Sequence, residues 1–132
     1  MNYIANSTNL DGVRAEEIKS SLAADVAEEL VHAQTIAKRI KTIGGRVPGS
    51  ATVQARQASL QPPANSTDVV AVIKGVIEAE AGAISFYSDI IQATDGVDPV
   101  TQDMVITILA DEEGHMRLFE GYLKEYEAEG LA

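Results

Sequence analysis

The chain holds two histidines, His32 and His115. Each stands three residues after a glutamate, in Glu29-Leu-Val-His32 and Glu112-Glu-Gly-His115. On a helix, positions i and i+3 share a face, so each motif aims a carboxylate and an imidazole at one point. Carboxylate oxygens and neutral imidazoles are what a divalent cation takes as ligands, and a carboxylate-rich set suits iron or manganese better than structural zinc. Two such motifs on facing helices, joined by a further glutamate, are how helical bundles hold a pair of metal ions. One Glu-x-x-His alone is common on a solvated face, so the reading turns on whether these side chains point inward.

Long helices must position them. A first pattern covers 11–43, with Asp11 as candidate cap, Glu16 and Glu17 in the early turns, and Lys38, Arg39 and Lys41 at the end, a charge order that suits the helix dipole. Gly44-Gly45 and Pro48 stop it. Residues 44–66 read as a loop; a crossover running the length of a bundle, joining two parallel helices, accounts for that length. A second helix is expected over 67–94. Gly96, Asp98 and Pro99 supply a stop, a cap and a first helical residue, and a third helix follows over 99–129. So short a turn makes these two helices antiparallel neighbours.

The apolar stripe of the second helix reads Ile73, Ile77, Glu80, Ile84, Tyr87, Ile91, so Glu80 holds a core position and Glu78 does not. In the third the stripe reads Val105, Leu109, Glu112, Met116, Phe119, Leu123, with His115 beside Met116. In the first, Ile18, Leu22, Asp25, Glu29, His32, Ile36 and Ile43 share a face. Ionisable groups on core stripes are costly to bury without a partner, and a cation supplies one. Glu16, Glu17, Glu28, Glu78, Glu113 and the acidic tail from Glu120 to Glu129 read as solvated. Tyr87, Phe119, Tyr122 and Tyr126 read as core or rim. Gly75, Gly82, Gly114 and Gly121 read as sites of close helix packing.

Composition bounds the rest. A chain of 132 residues fits a single domain. With no cysteine it has no disulfide, thiolate metal site or iron–sulfur cluster. A net charge of −10 argues against nucleic acid and anionic membrane surfaces. No apolar run reaches the roughly 18 residues of a membrane span, and residues 1–10 lack the pattern of a signal peptide. The expected location is cytoplasmic.

With these motifs placed, the chain resembles the ferritin-like di-iron family, bacterioferritins and their shorter relatives especially. The segment Asp103-Met-Val-Ile-Thr-Ile-Leu-Ala-Asp-Glu-Glu-Gly-His115 is similar to the fourth helix of that family. Glu80-Ala-Gly-Ala-Ile-Ser-Phe-Tyr87 is similar to its third, and 29–40 with Gly44-Gly-Arg-Val-Pro48 to its second helix and exit. The resemblance implies an all-α, ferritin-like antiparallel helix bundle with a long crossover loop. It implies a di-iron site, manganese being the other candidate, with Glu29, His32, Glu80, Glu112 and His115 as metal ligands. Asp111 would hydrogen-bond the opposite histidine. Leu30 stands where bacterioferritin has its haem-ligating methionine, so no haem is expected. The family's first helix adds one more glutamate ligand, which would fall upstream of Met1. Residues 1–10 therefore read as a remnant of a first helix that is largely missing. Truncation, a misplaced start, and a three-helix form completed by another chain all fit that reading. No fifth short helix follows 99–129 in this sequence, which counts against the family's large storage cage and leaves cage and dimer both open.

The function this implies is metal binding with ferroxidase-type oxidation of Fe(II) by oxygen or peroxide. The alternatives are a non-catalytic metal carrier and a structural helical bundle. Apolar faces left without a full first helix predict a homo-oligomer, a dimer or a higher assembly.

Overall fold

In a computed structural model, which describes residues 1–132, the chain is all-α with no strand. Helix α1 spans Asn2–Asn9, α2 Glu16–Thr42, α3 Val69–Thr94 and α4 Pro99–Ala128, and one 3-10 turn, Val13–Ala15, leads into α2. At about 1.5 Å per residue the three long helices are rods of roughly 40 Å. Local chemistry sets their ends. Asp68 caps α3 by accepting the Ala71 N–H at 3.0 Å. Asp98 does the same for Thr101 at 3.0 Å, with Pro99 at the first helical position. Gly44, at φ +89, ends α2, and the Gly45 N–H returns to the Ile40 carbonyl at 2.8 Å. Asp11 does not cap α2. The chain turns at Gly12, φ +102, into the 3-10 segment, so the regular helix begins only at Glu16 without a side-chain cap. Ile43, expected on the inner face, lies beyond the end of α2 and is exposed.

Helices α3 and α4 form one antiparallel hairpin, and α1 packs on α2. Helices α2 and α4 also run antiparallel. Ser21 meets Tyr122 at 2.8 Å, His32 meets Asp111 at 2.9 Å, and Arg39 meets Thr101 at 2.8 Å, the partners stepping down one helix as they step up the other. The apolar core gathers at the end that joins the starts of α2 and α3 to the end of α4. Ile18, Leu22, Val72, Ile73, Val76 and Phe119 are all buried there. The buried line of α4 is Val105, Ile108, Glu112, His115 and Phe119. Leu109 and Met116 are only half-buried, so the inner face is rotated slightly from the stripe read in sequence and takes in His115 itself.

The crossover is anchored rather than loose. Leu60 is buried in the core at φ +58, a backbone state uncommon for a branched side chain. The fully buried Asn6 of α1 holds it by donating Nδ2–H to the Leu60 carbonyl at 2.9 Å. Asn2 donates to the Ser59 carbonyl at 3.2 Å. A side-chain carbon at Gly75 of α3 would lie 3.1 Å from the Leu60 Cα. Of the four helix glycines expected to permit close packing, Gly75 has this close neighbour and it is the crossover; Gly82, Gly114 and Gly121 face open space.

Candidate metal centre

The two Glu-x-x-His motifs occupy the middle of α2 and α4, where the antiparallel register sets each opposite the other. Glu80 reaches in from α3. One ligand atom each from Glu29, Glu80, Glu112 and His115 can be chosen so that all four lie within 4.8 Å of one another. His32 joins from the other side, its Nδ1 lying 3.0 Å from Glu112 Oε1 and 3.8 Å from Glu29 Oε2. His115 Nδ1 lies 3.7 Å from Glu80 Oε1 and 4.0 Å from both Glu29 Oε1 and Glu112 Oε2. Glu80, Glu112, His32 and His115 are buried, and Glu29 is half-buried.

Both imidazoles are held from behind in the same way. His32 Nε2 pairs with Asp111 at 2.9 Å, and Asp111 directly precedes Glu112. His115 Nε2 pairs with Glu28 at 2.6 Å, and Glu28 directly precedes Glu29. A carboxylate only accepts hydrogen bonds, so Nε2 carries the hydrogen in each case and Nδ1 faces the cluster. Asp25, buried, adds an oxygen 3.7 Å from His115 Nε2. Glu28 was read from sequence as a solvated side chain. It is exposed for much of its length, yet its carboxylate reaches His115. The signal was available, since an acid precedes the motif glutamate in both Glu28-Glu29 and Asp111-Glu112. A second residue missed from sequence is Tyr3 of α1, whose hydroxyl donates to Glu80.

The electrostatics are those of carboxylates forced together. Burial, the adjacent Glu80 carboxylate and the Glu29 charge all push Glu112 above the usual carboxylate range. Burial alone would raise Glu80 as well, but the neighbouring His115 and Glu112 and the hydrogen bond from Tyr3 outweigh it and hold Glu80 low. Glu29 is raised, by burial first and the Glu80 charge next. His115 is pushed up to about 10, chiefly by the Glu80 carboxylate beside its Nδ1, against the opposing effect of burial. Burial lifts Asp25 to about 6 and Tyr87 to about 12. The raised carboxylates and raised imidazole mark a cluster that favours added positive charge.

Protons do not satisfy it. His32 Nδ1, His115 Nδ1, Glu112 Oε1 and Asp25 Oδ2 are all buried without a hydrogen-bond partner. His32 Nδ1 and Glu112 Oε1 even face each other at 3.0 Å without the alignment of a hydrogen bond. Orphaned buried polar atoms are rare, and several converging on one point are what a cation binding site offers. The donor set, three carboxylates and two imidazoles, fits iron or manganese.

Residues 1–128 match the family described as Ferritin-like domain. The chain is 31% identical over 124 residues to the DNA protection during starvation protein of Pyrococcus furiosus, a match covering 92% of this chain. It spans 66% of that relative, just under two thirds of its length. Among solved structures, a dodecameric thioferritin, the bacterioferritin-related protein of Bacteroides fragilis, aligns with a TM-score of 0.80 over 98% of this chain and 77% of its own. At 23% identity that likeness is one of fold.

Proposed function

This chain belongs to the ferritin-like family, and from that premise we propose that it binds a pair of iron ions and oxidises Fe(II) with oxygen or peroxide. The observation that carries the reading is the convergence of orphaned buried ligand atoms, His32 Nδ1, His115 Nδ1 and Glu112 Oε1, on one carboxylate cluster. Glu29 with His32 and Glu112 with His115 would each serve one ion, with Glu80 and the motif glutamates shared between them. Iron, here the substrate, supplies the electron that passes to the oxidant. The protein's own part is to bind, orient and manage protons. Asp111 and Glu28 fix the imidazoles so that Nδ1 points inward. Tyr3 steadies one oxygen of Glu80. Glu112 and His115 give up their protons as a cation enters, so loading is coupled to proton release.

We also propose a homo-oligomer. Leu30, Val31, Phe86, Ile106 and Leu118 are exposed on the isolated chain, and the thioferritin of similar fold is dodecameric. The role named for the Pyrococcus relative is not carried over, because a net charge of −10 opposes binding to a polyanion.

The test is anaerobic loading with Fe(II), followed by metal content per chain beside the mass in solution, then oxygen or peroxide addition. About two irons per chain and oxidation faster than buffer are expected. Metal bound without faster oxidation would leave a carrier, and no metal bound would leave a structural bundle.

A further inference from the structure

The two halves of the centre repeat one another. On α2 the order is Asp25, Glu28, Glu29, His32, and on α4 it is Ile108, Asp111, Glu112, His115. In each half the acid one place before the motif glutamate holds the opposite imidazole, Asp111 that of His32 at 2.9 Å and Glu28 that of His115 at 2.6 Å. Three places before that acid, on the same helix face, the halves part. There α4 carries Ile108, buried and apolar, whereas α2 carries Asp25, also buried but an acid.

A carboxyl group is costly to bury without a partner. Asp25 Oδ1 lies 3.7 Å from His115 Nε2, beyond hydrogen-bond range, and its Oδ2 is buried with no partner at all. Such an orphaned atom calls for an explanation. His115 Nε2 has one hydrogen to give, and Glu28 takes it. The two acids differ in freedom. The Glu28 side chain is 56% exposed and lines a cavity of about 460 Å³ between α2 and α4, so its carboxylate can exchange the imidazole for water. The Asp25 side chain is 7% exposed and has no such alternative. Bringing Asp25 into hydrogen-bond range of Nε2 takes a movement of only about 0.5–1 Å. Asp111, the counterpart of Glu28, is 48% exposed on the same cavity, and Ile108 beside it offers His32 no second acceptor.

We propose that Asp25 is a positioning residue, the reserve acceptor for the His115 Nε2–H, which keeps that imidazole aimed at the carboxylate cluster whenever Glu28 turns out to solvent. The His115 half of the centre is thus held twice and the His32 half once. Loss of the exposed acid has unequal effects on the two halves: His115 keeps its orientation without Glu28, and His32 does not keep it without Asp111. The inference rests on the di-metal reading above and adds to it an order of robustness between the two imidazoles.

The test loads the whole protein with Co(II), a paramagnetic ion that needs no oxidant. It shifts the ring N–H protons of bound imidazoles away from the other proton resonances, so each hold is read directly by NMR in water. The wild type is expected to show one exchangeable signal for each histidine. Asp111→Ala loses one of them to exchange with water, which assigns it to His32. Glu28→Ala keeps both, and Glu28→Ala combined with Asp25→Leu loses the second. Asp25→Ala serves in place of Asp25→Leu if the longer side chain does not fold. Affinity, read against a competing chelator, follows the same order: Asp111→Ala weakens binding toward about 100-fold, Glu28→Ala toward about 10-fold, and the double variant about 100-fold. A His115 signal lost in Glu28→Ala alone overturns the inference, and so does one that survives in the double variant; both leave the metal reading standing. No Co(II) bound by the wild type overturns the metal reading itself, and this inference with it.

Discussion

Each histidine in this chain is a two-sided device. The outer nitrogen is fixed by an acid that directly precedes a motif glutamate, and the inner one faces the carboxylates. On the metal reading proposed above, the carboxylates behind the rings would tune affinity without touching metal. Asp111→Ala and Glu28→Ala are each expected to weaken metal binding about 10–100-fold, read by competition against a chelator, while His115→Ala removes a ligand outright. Unchanged affinity in both acid variants would mean the rings are oriented by packing alone. Proton coupling gives a second prediction. Since the cluster pushes Glu112 and His115 toward their protonated forms, metal loading at pH 7 is expected to release protons. Calorimetry in buffers of different ionisation heat measures this, and heats independent of buffer would contradict it. The sign for stability runs the other way. His115, raised from 6.5 to about 10, contributes metal-free stability that is full below about pH 6.5 and lost as pH rises through about 10.

Among the helices, the crossover and the α2–α4 seam decide how well the site is held. Gly75 sits against the Leu60 backbone, so Gly75→Ala gains about 1 kcal/mol of helix propensity but suffers overpacking that typically costs about 1–3 kcal/mol. Net destabilisation is expected, with Gly121→Ala as control. Gly121 meets nothing, so that change should stabilise by up to about 1 kcal/mol. Urea melts of the two variants moving in the same direction would remove the account of a pinned crossover. At the far end of the seam, Asp98 both caps α4 and accepts two hydrogen bonds from Arg39 of α2, at 2.8 and 3.0 Å. Hydrogen bonds from the Thr101 side chain and backbone, then from Arg39, hold its carboxyl down at about 2 from an ordinary 3.8. A depressed acid contributes stability that is present above its unfolded pKa and lost as pH falls through the folded one. Asp98→Asn is thus expected to melt lower than wild type at neutral pH, with the gap closing as pH drops from about 4 to about 2. A gap that stays constant over that window would show the charge to be irrelevant.

For the molecule as a whole, the balance lies between a small apolar core at one end and a polar cluster in the middle. That arrangement makes stability depend on what binds, since a ligand held by the native state alone stabilises it by mass action. Self-association through the exposed apolar side chains, proposed above, would add a second dependence. Light scattering is expected to show an oligomer at micromolar concentration, and Leu30→Glu with Val31→Glu should lower its mass, because a charge at a desolvated contact is costly. A wild-type monomer would leave those side chains without an explanation.

Helical class was legible in the chain because hydrophobic periodicity and capping residues are local signals: Asp98-Pro99 and Gly44 act within one turn of where they stand. The inward placement of Glu80 was legible for the same reason, as an acid in an otherwise apolar stripe. Sequence spacing also paired each glutamate with its histidine, since i and i+3 are neighbours on any helix. Contacts between helices were not legible, because they depend on register. Only the antiparallel setting of α2 and α4 makes Glu28 a partner of His115. Tyr3 reaches Glu80 across seventy-seven positions of chain, and no periodicity encodes that distance. The start of α2 was misread because Asp11 has the right chemistry for a cap, while the positive φ at Gly12 and the 3-10 turn after it push the helix start further along. A cavity of about 340 Å³ beside Glu29, Glu80 and Glu112 could be found only in three dimensions, since all four helices and the crossover line it.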